Sequence, residues 1–256
     1  MYLLKLNLAR NSLRYIIRTY NIKEIHLPYY ICPAIRQAVI KENCIPIFYH
    51  IDDNFMPMKT FDKNNFILYP NYFGVCDKNI DCLSQIYPYL IVDNAHSFFS
   101  KPKGFACFNS ARKFLPVYNG SFLWIKDISF VPQKIQSPIN YNIKSENDFD
   151  TLEIFSLSQK LESHINSFKQ PQKTNFFKLH EKYENTNQLI IDTETISPFC
   201  YPYLANTNTE ADDVANSFEQ QGVTIYRYWN NLPENFGEYK FYRRLVPIPI
   251  YHYRLK

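Results

Sequence analysis

The chain has 256 residues, of which 46% are hydrophobic and 20% charged, enough to bury one sizeable core or a core and a small lobe. Its net charge of +4 is not gathered into any block of like charge, which argues against a nucleic-acid-binding tail, and no run of about 18 apolar residues exists to span a membrane. The six cysteines (Cys32, Cys44, Cys76, Cys82, Cys107, Cys200) contain no C-x-x-C pair and the first residues lack a secretory pattern, so neither a disulfide framework nor a metal site is expected, and the reading is a reduced, cytoplasmic protein.

The first half alternates helix and strand signals. Leu13, Ile16, Ile17 and Tyr20 recur at i, i+3, i+4 and i+7, which predicts a helix beginning near Ala9-Arg10-Asn11-Ser12. Glu24-Ile-His-Leu-Pro28 reads as a short strand closed by proline. Pro33 opens a helix to about Asn43, with Ile35, Ala38 and Val39 inward. Strands follow at Ile45-Pro-Ile-Phe-Tyr49 and Phe66-Ile-Leu-Tyr69, then a helix carrying Ile80, Leu83 and Ile86, then a buried strand at Leu90-Ile-Val92. Short apolar strands alternating with amphipathic helices predict an α/β fold, a mostly parallel sheet with both faces covered.

Residues 131–150 are rich in Pro, Gln, Asn and Ser and read as a linker or long loop between a large domain, 1–130, and a C-terminal part, 151–256. That part is predicted to begin with a helix over 151–168 and a second over 175–183. A small α/β lobe follows: strands at Gln188-Leu-Ile-Ile191 and Phe199-Cys-Tyr-Pro-Tyr-Leu204, a helix capped by Thr209-x-x-Asp212 and ending at Gly222, and a strand at Val223-Thr-Ile-Tyr-Arg-Tyr228. The basic C-terminal stretch with Lys240, Arg243, Arg244, Arg254 and Lys256 alternates with apolar residues and reads as a partly exposed strand edge.

Chemistry concentrates in two segments. Asp93 follows the apolar run Leu90-Ile-Val92, and Lys113 lies on a later loop. In an open parallel sheet, ligands bind beyond the carboxyl ends of the strands. An acid at a strand end and an amine on the next loop suit pyridoxal 5′-phosphate (PLP), whose ring nitrogen needs an anionic partner and whose aldehyde condenses with an amine. Asp93 could equally cap the following turn, and Lys113 could be a solvated charge. Its neighbours Ala111, Phe114 and Leu115 would desolvate it and lower its pKa. Ser110 and Arg112 stand beside it, before a turn at Asn119-Gly120.

His96 could stack on the cofactor ring or bond its phenolic oxygen, or be a structural histidine. Tyr30, just past Pro28, could also stack on the ring, although 21 tyrosines make coincidence easy. The helix start at Ala9 and Arg10 could offer backbone N–H groups to a phosphate, or be a plain capped helix.

Taken in order, these segments resemble the DegT/DnrJ/EryC1/StrS family of PLP-dependent sugar aminotransferases. Asn7-Leu-Ala-Arg-Asn-Ser-Leu-Arg14 resembles the family's phosphate-binding helix start, and Leu27-Pro-Tyr-Tyr-Ile-Cys32 its strand end with an aromatic residue over the ring. Ile45-Pro-Ile-Phe-Tyr-His-Ile-Asp52 and Leu68-Tyr-Pro-Asn-Tyr-Phe-Gly74 are similar to its next strands. Val92-Asp-Asn-Ala-His96 looks like its ring-nitrogen motif, with histidine where glutamine is usual. Ser110-Ala-Arg-Lys-Phe-Leu-Pro-Val-Tyr-Asn-Gly120 resembles its cofactor-lysine loop. The likeness runs from about residue 6 to 125 and is weaker in Val223-Thr-Ile-Tyr-Arg-Tyr-Trp229 and Leu245-Val-Pro-Ile-Pro249.

The resemblance implies a three-layer fold of the fold type I PLP-dependent transferases with a small C-terminal α/β lobe. It implies an aminotransferase with Lys113 as catalytic residue and Asp93, His96, Tyr30, Ala9, Arg10 and Ser110 around PLP, while Arg227 is either a clamp for a donor carboxylate or an exposed strand residue. An amino-acid donor, glutamate by expectation, would serve a keto nucleotide sugar in surface-polysaccharide synthesis, in a homodimer. The chain departs from the family pattern in being shorter, in having Ala9 where glycine is usual, and in lacking the helix and strand expected before the phosphate helix. A catalytically silent relative that binds or scaffolds is the alternative.

Overall fold

The computed structural model describes residues 1–115, 120–129 and 152–251. The sequence-predicted linker at 131–150 lies outside the described residues.

A seven-stranded sheet forms the centre. Its strands are β1 (Tyr2–Leu6), β2 (Glu24–Pro28), β3 (Ile45–Tyr49), β4 (Ile67–Pro70), β5 (Leu90–Asn94), β6 (Ala106–Asn109) and β7 (Ser121–Ile125), in the order β1-β7-β6-β5-β4-β2-β3. From β6 through β3 every pairing is parallel, while β7 and β1 add two antiparallel strands at one edge. Every residue of β4, β5 and β6 is buried, including the polar Asp93, Asn94 and Asn109 at the carboxyl ends. Parallel strands reached by helical crossovers are covered on both faces and cannot alternate polar and apolar residues.

Helices α1 (Ala9–Thr19) and α2 (Pro33–Lys41) pack on one face. Leu13, Ile16 and Ile17 of α1 and Ile35, Ala38 and Val39 of α2 close a core with Ile25, Leu27, Leu68, Ile91 and Phe108 of the strands. Helix α3 (Asp77–Ile86) lies on the other face, its Ile80 and Leu83 buried in a second core that includes Tyr69, Leu90 and Val92. That second core runs without a break into the C-terminal residues. There, helix α4 (Leu152–Tyr183) precedes a two-stranded antiparallel sheet of β8 (Cys200–Leu204) and β9 (Leu245–Pro249), with helices α5 (Asn208–Glu219) and α6 (Tyr239–Arg244) between the strands.

Several sequence expectations are corrected. Strand β1 stands immediately before α1, held antiparallel to β7, so the strand expected to be missing there is present. The two helices predicted over 151–168 and 175–183 are one helix that continues through Pro171. The cap of α5 is Thr207, whose hydroxyl accepts from the Glu210 N–H at 3.1 Å, two residues before the predicted Thr209 box; the helix ends at Glu219, and Gly222 takes the left-handed turn beyond it. Gln188-Leu-Ile-Ile191 is not a strand, since Ile190 is 90% exposed. Val223–Tyr228 is not a strand either. The C-terminal strand is not an exposed edge: Leu245, Val246 and Ile248 are buried against β8.

Two backbone features place the site. Gly74 has φ +76°, and a Cβ there would lie 2.2 Å from the Ser197 carbonyl oxygen and 2.4 Å from that of His96. Only glycine allows the turn after β4 to press so closely on the segment preceding the small sheet. Gly120 donates its N–H to the Asn7 carbonyl and accepts from Ala111 N–H at 2.8 Å. The Lys113 loop is thereby fastened to the start of α1.

Candidate active site

The carboxyl ends of β4, β5 and β6 finish in register: Pro70 sits opposite Asp93, and Asn94 opposite Asn109. Beyond them opens a cavity of about 90 Å³. Six of the eight residues singled out from the sequence line it: Ala9, Arg10, Asp93, His96, Ser110 and Lys113.

Asp93 is buried at the end of β5. Its Oδ1 accepts from the Ala95 N–H at 2.8 Å, so it does cap the turn, while Oδ2 takes no hydrogen bond among the described residues. Burial pushes its pKa up to about 6, against the opposing pull of the Ala95 N–H and the positive charge of Lys113. Below it, Asn71 donates its backbone N–H to the Asp93 carbonyl and its side-chain amide to Asp77 and Asn94, which fixes the strand ends together.

Lys113 ends a 3₁₀ turn, Ala111–Lys113, that begins right after β6. Its Nζ lies 5.5 Å from the centre of the Phe199 ring, and its charge bears on Asp93, His96 and Cys200. The apolar neighbours read from the sequence are buried as expected: Ala111, Phe114 and Leu115.

His96 is buried with its ring stacked on Phe199 (centroids 4.7 Å apart, 17° between planes) and on Trp229 (5.6 Å, 13°). Burial, and then the charge of Lys113, hold its pKa well below the ordinary histidine value, so it is neutral near pH 7. The stacking partners of His96 are therefore the protein's own aromatic rings.

Helix α1 opens at Leu8, whose backbone is extended and whose side chain provides no cap; its first turn carries no acid. Asn11 and Ser12 donate to the Leu8 carbonyl, which leaves the N–H groups of Ala9 and Arg10 at the cavity wall without an intrahelical acceptor. Ser110 is 5% exposed and lines the same cavity.

Two sequence-predicted residues do not reach the cavity. Tyr30 is fully buried behind it, packed on Trp229 (4.6 Å between centroids), Tyr72 and Phe241, with no partner for its hydroxyl among the described residues. Arg227 pairs with Asp212 at 2.5 Å and donates to the Arg243 carbonyl, tying α5 to α6, so the substrate-clamp expectation has no support in its position. Trp229, to which the sequence reading assigned no role, also lines the cavity, as does Arg112, noted in the sequence beside Lys113. Trp229 sits at φ +58°, a left-handed conformation rare for a bulky residue. No local pattern announces it. Among the described residues no group of three or more His, Cys, Asp or Glu side chains could hold a metal ion, and no helix is long and apolar enough to cross a membrane.

By sequence, no protein-family model and no curated protein matches the chain. By structure the similarity is extensive. Spr1654 of Streptococcus pneumoniae, assigned as a sugar aminotransferase and solved in its PLP form, superimposes with a TM-score of 0.73 over 99% of this chain and 84% of its own, at 14% identity. A DegT/DnrJ/EryC1/StrS aminotransferase from Brucella abortus gives 0.71 over 98% and 82%, at 13% identity. Helicobacter pylori PseC, an aminotransferase of pseudoaminic acid biosynthesis, gives 0.71 over 98% and 82%, at 14% identity. The chain thus has the fold of the PLP-dependent aminotransferases, the three-layer architecture expected from its sequence.

Proposed function

We propose that this chain is a PLP-dependent aminotransferase that moves an amino group from an amino acid, glutamate in this reading, to the keto group of a nucleotide sugar. One observation carries the proposal. A buried carboxylate, a lysine and an uncapped helix N-terminus share one cavity at the strand ends, with Ser110 in its wall. The residues fit the cofactor group by group. Oδ2 of Asp93 is available to the ring nitrogen, Lys113 to the aldehyde, and the N–H groups of Ala9 and Arg10 with Ser110 to the phosphate.

When bound, PLP supplies an electron sink that stabilises negative charge on the amino-bearing carbon. The protein does the rest. Asp93, anionic beside a positive partner, holds a proton on the ring nitrogen. Lys113 holds and moves a proton at the reacting carbon. His96, kept neutral by burial, carries no competing positive charge. Trp229 walls the cavity and excludes water from one side.

The fold relatives support the sugar acceptor, since one is assigned as a sugar aminotransferase and another acts in pseudoaminic acid biosynthesis. The remaining parts come from the family resemblance: a large PLP-binding domain over 1–130 and a C-terminal part over 151–256, a homodimer in the cytoplasm, and service in surface-polysaccharide synthesis. The test is a half-reaction. Protein loaded with PLP should absorb as a yellow species, and excess glutamate should bleach it and release 2-oxoglutarate. Protein that takes up no PLP would instead assign the chain as a silent, binding or scaffolding relative.

A further inference from the structure

We infer that Trp229 is a movable wall of the cavity, and that the buried Tyr30 hydroxyl behind it finds a hydrogen-bond partner only when that wall opens to admit a ligand; the choice of ligand rests on the PLP reading above. With the indole in place the cavity holds about 90 Å³, below the roughly 300–1,000 Å³ of small-molecule pockets. A ring and a phosphate together need more room than that. The groups assigned to the cofactor already face the cavity, so room is what the shut wall withholds.

Two independent observations single out Trp229 as the wall that yields. The first is its backbone. A φ of +58° is strained for a bulky residue and persists only where the surroundings hold it. Ring packing does so here: the indole lies nearly parallel to His96 (5.6 Å between centroids, 13°) and edge-on to Tyr30 (4.6 Å, 69°) and Tyr72 (5.9 Å, 65°). Its segment joins no sheet among the described residues. Arg227 fastens one end of that segment to Asp212 and to the Arg243 carbonyl, and buried Leu232 fastens the other. Between those fixed points a short arm carries the indole, with Asn230 and Asn231 exposed beside it.

The second observation is Tyr30. Its side chain is wholly buried, and its hydroxyl has no hydrogen-bond partner among the described residues. An unsatisfied buried hydroxyl is costly. Trp229 both packs on Tyr30 and lines the cavity, so turning the indole aside brings water or a polar atom of the ligand to that hydroxyl. The shut arrangement therefore gains ring stacking but carries two penalties, the left-handed backbone and the orphan hydroxyl. Opening relieves both, which makes the segment a two-state element that a ligand can bias.

The experiment compares wild type, Tyr30→Phe, Trp229→Gly and the double variant. Phenylalanine keeps the ring and has no hydroxyl to satisfy, so Tyr30→Phe should raise the Tm and hold the wall shut. PLP binding, followed by visible absorbance after rapid mixing, should then slow about tenfold, the size of one unsatisfied buried group. Trp229→Gly has neither the indole nor the strained backbone and should bind PLP faster than wild type. In that background Tyr30→Phe should leave the rate unchanged, because the hydroxyl is already open to the cavity. A readout without PLP comes from fluorine NMR of fluorotryptophan at position 229 in Trp124→Phe protein. Two exchanging environments are expected, the minor one reduced about tenfold by Tyr30→Phe. A single environment that Tyr30→Phe does not alter would overturn the inference whatever PLP does. If both environments are seen and no variant takes up PLP, the wall stands and the PLP reading fails. If PLP binds wild type and Tyr30→Phe at one rate, the PLP reading stands and the wall fails.

Discussion

Replacing Asp93 by asparagine should stabilise the protein stripped of cofactor, which is the opposite of what most buried substitutions do. In the ligand-free cavity the carboxyl is raised from 3.8 to about 6 by burial, only partly offset by the Ala95 N–H and Lys113. A rise of about two units, at about 1.4 kcal/mol each, means that ionised Asp93 costs on the order of 3 kcal/mol at pH 8. Between pH 4 and 6 the native state holds a proton that the unfolded state has released, so stability falls as pH rises through that window. Asparagine removes the buried charge, and its side-chain oxygen can still accept from Ala95. Urea unfolding of the PLP-free proteins should therefore favour Asp93→Asn by about 1–3 kcal/mol at pH 8, and the difference should vanish near pH 4, where Asp93 is protonated in the native protein. Adding PLP should reverse the order at pH 8, because only the carboxylate meets the ring nitrogen with charge. A variant less stable than wild type at pH 8 without PLP, or a difference independent of pH, would refute the reasoning.

Other changes probe the same architecture. Lys113→Ala should keep the fold, judged by an unchanged circular dichroism spectrum, while losing turnover and the yellow absorbance; residual transamination would show that another amine does the work. Gly74→Ala should destabilise by about 2–4 kcal/mol, because its Cβ would meet two backbone carbonyls and its φ is left-handed; a thermal melt within one degree of wild type would contradict this. Of the two tryptophans only Trp229 lines the cavity, so PLP should quench the emission of wild type strongly and that of Trp229→Phe weakly. Equal quenching in both would put the cofactor elsewhere.

The legible parts of the fold are those where one physical demand dominates. Glu24–Pro28 coincides with the strand read from the sequence because a short apolar run between amphipathic helices is buried on both faces; Ile45–Tyr49 also coincides, although only its Tyr49 is buried. The antiparallel strands Tyr2–Leu6 and Ser121–Ile125 went unread. They lie at one edge of the sheet and depend on pairing with each other, a contact between residues about 120 positions apart that no local pattern carries. Asp93 and Lys113 were legible as chemistry because few structural tasks need an acid and an amine at adjacent strand ends. Tyr30 illustrates the converse: an aromatic residue at a strand end looks like a ring-stacking group, but here it is core beneath Trp229. Trp229 itself reaches the cavity through a left-handed turn in an irregular segment, a placement set by tertiary packing. The expected strand at Val223–Tyr228 failed for the same reason, since β8 finds its partner in Leu245–Pro249 and leaves that segment unpaired.

The most direct measurement of the central claim is peptide mapping by mass spectrometry after borohydride reduction of the PLP-treated protein. Attachment of the cofactor to the peptide carrying Lys113, in one copy per chain, is the predicted result. Attachment to a different lysine, or to none, would contradict it.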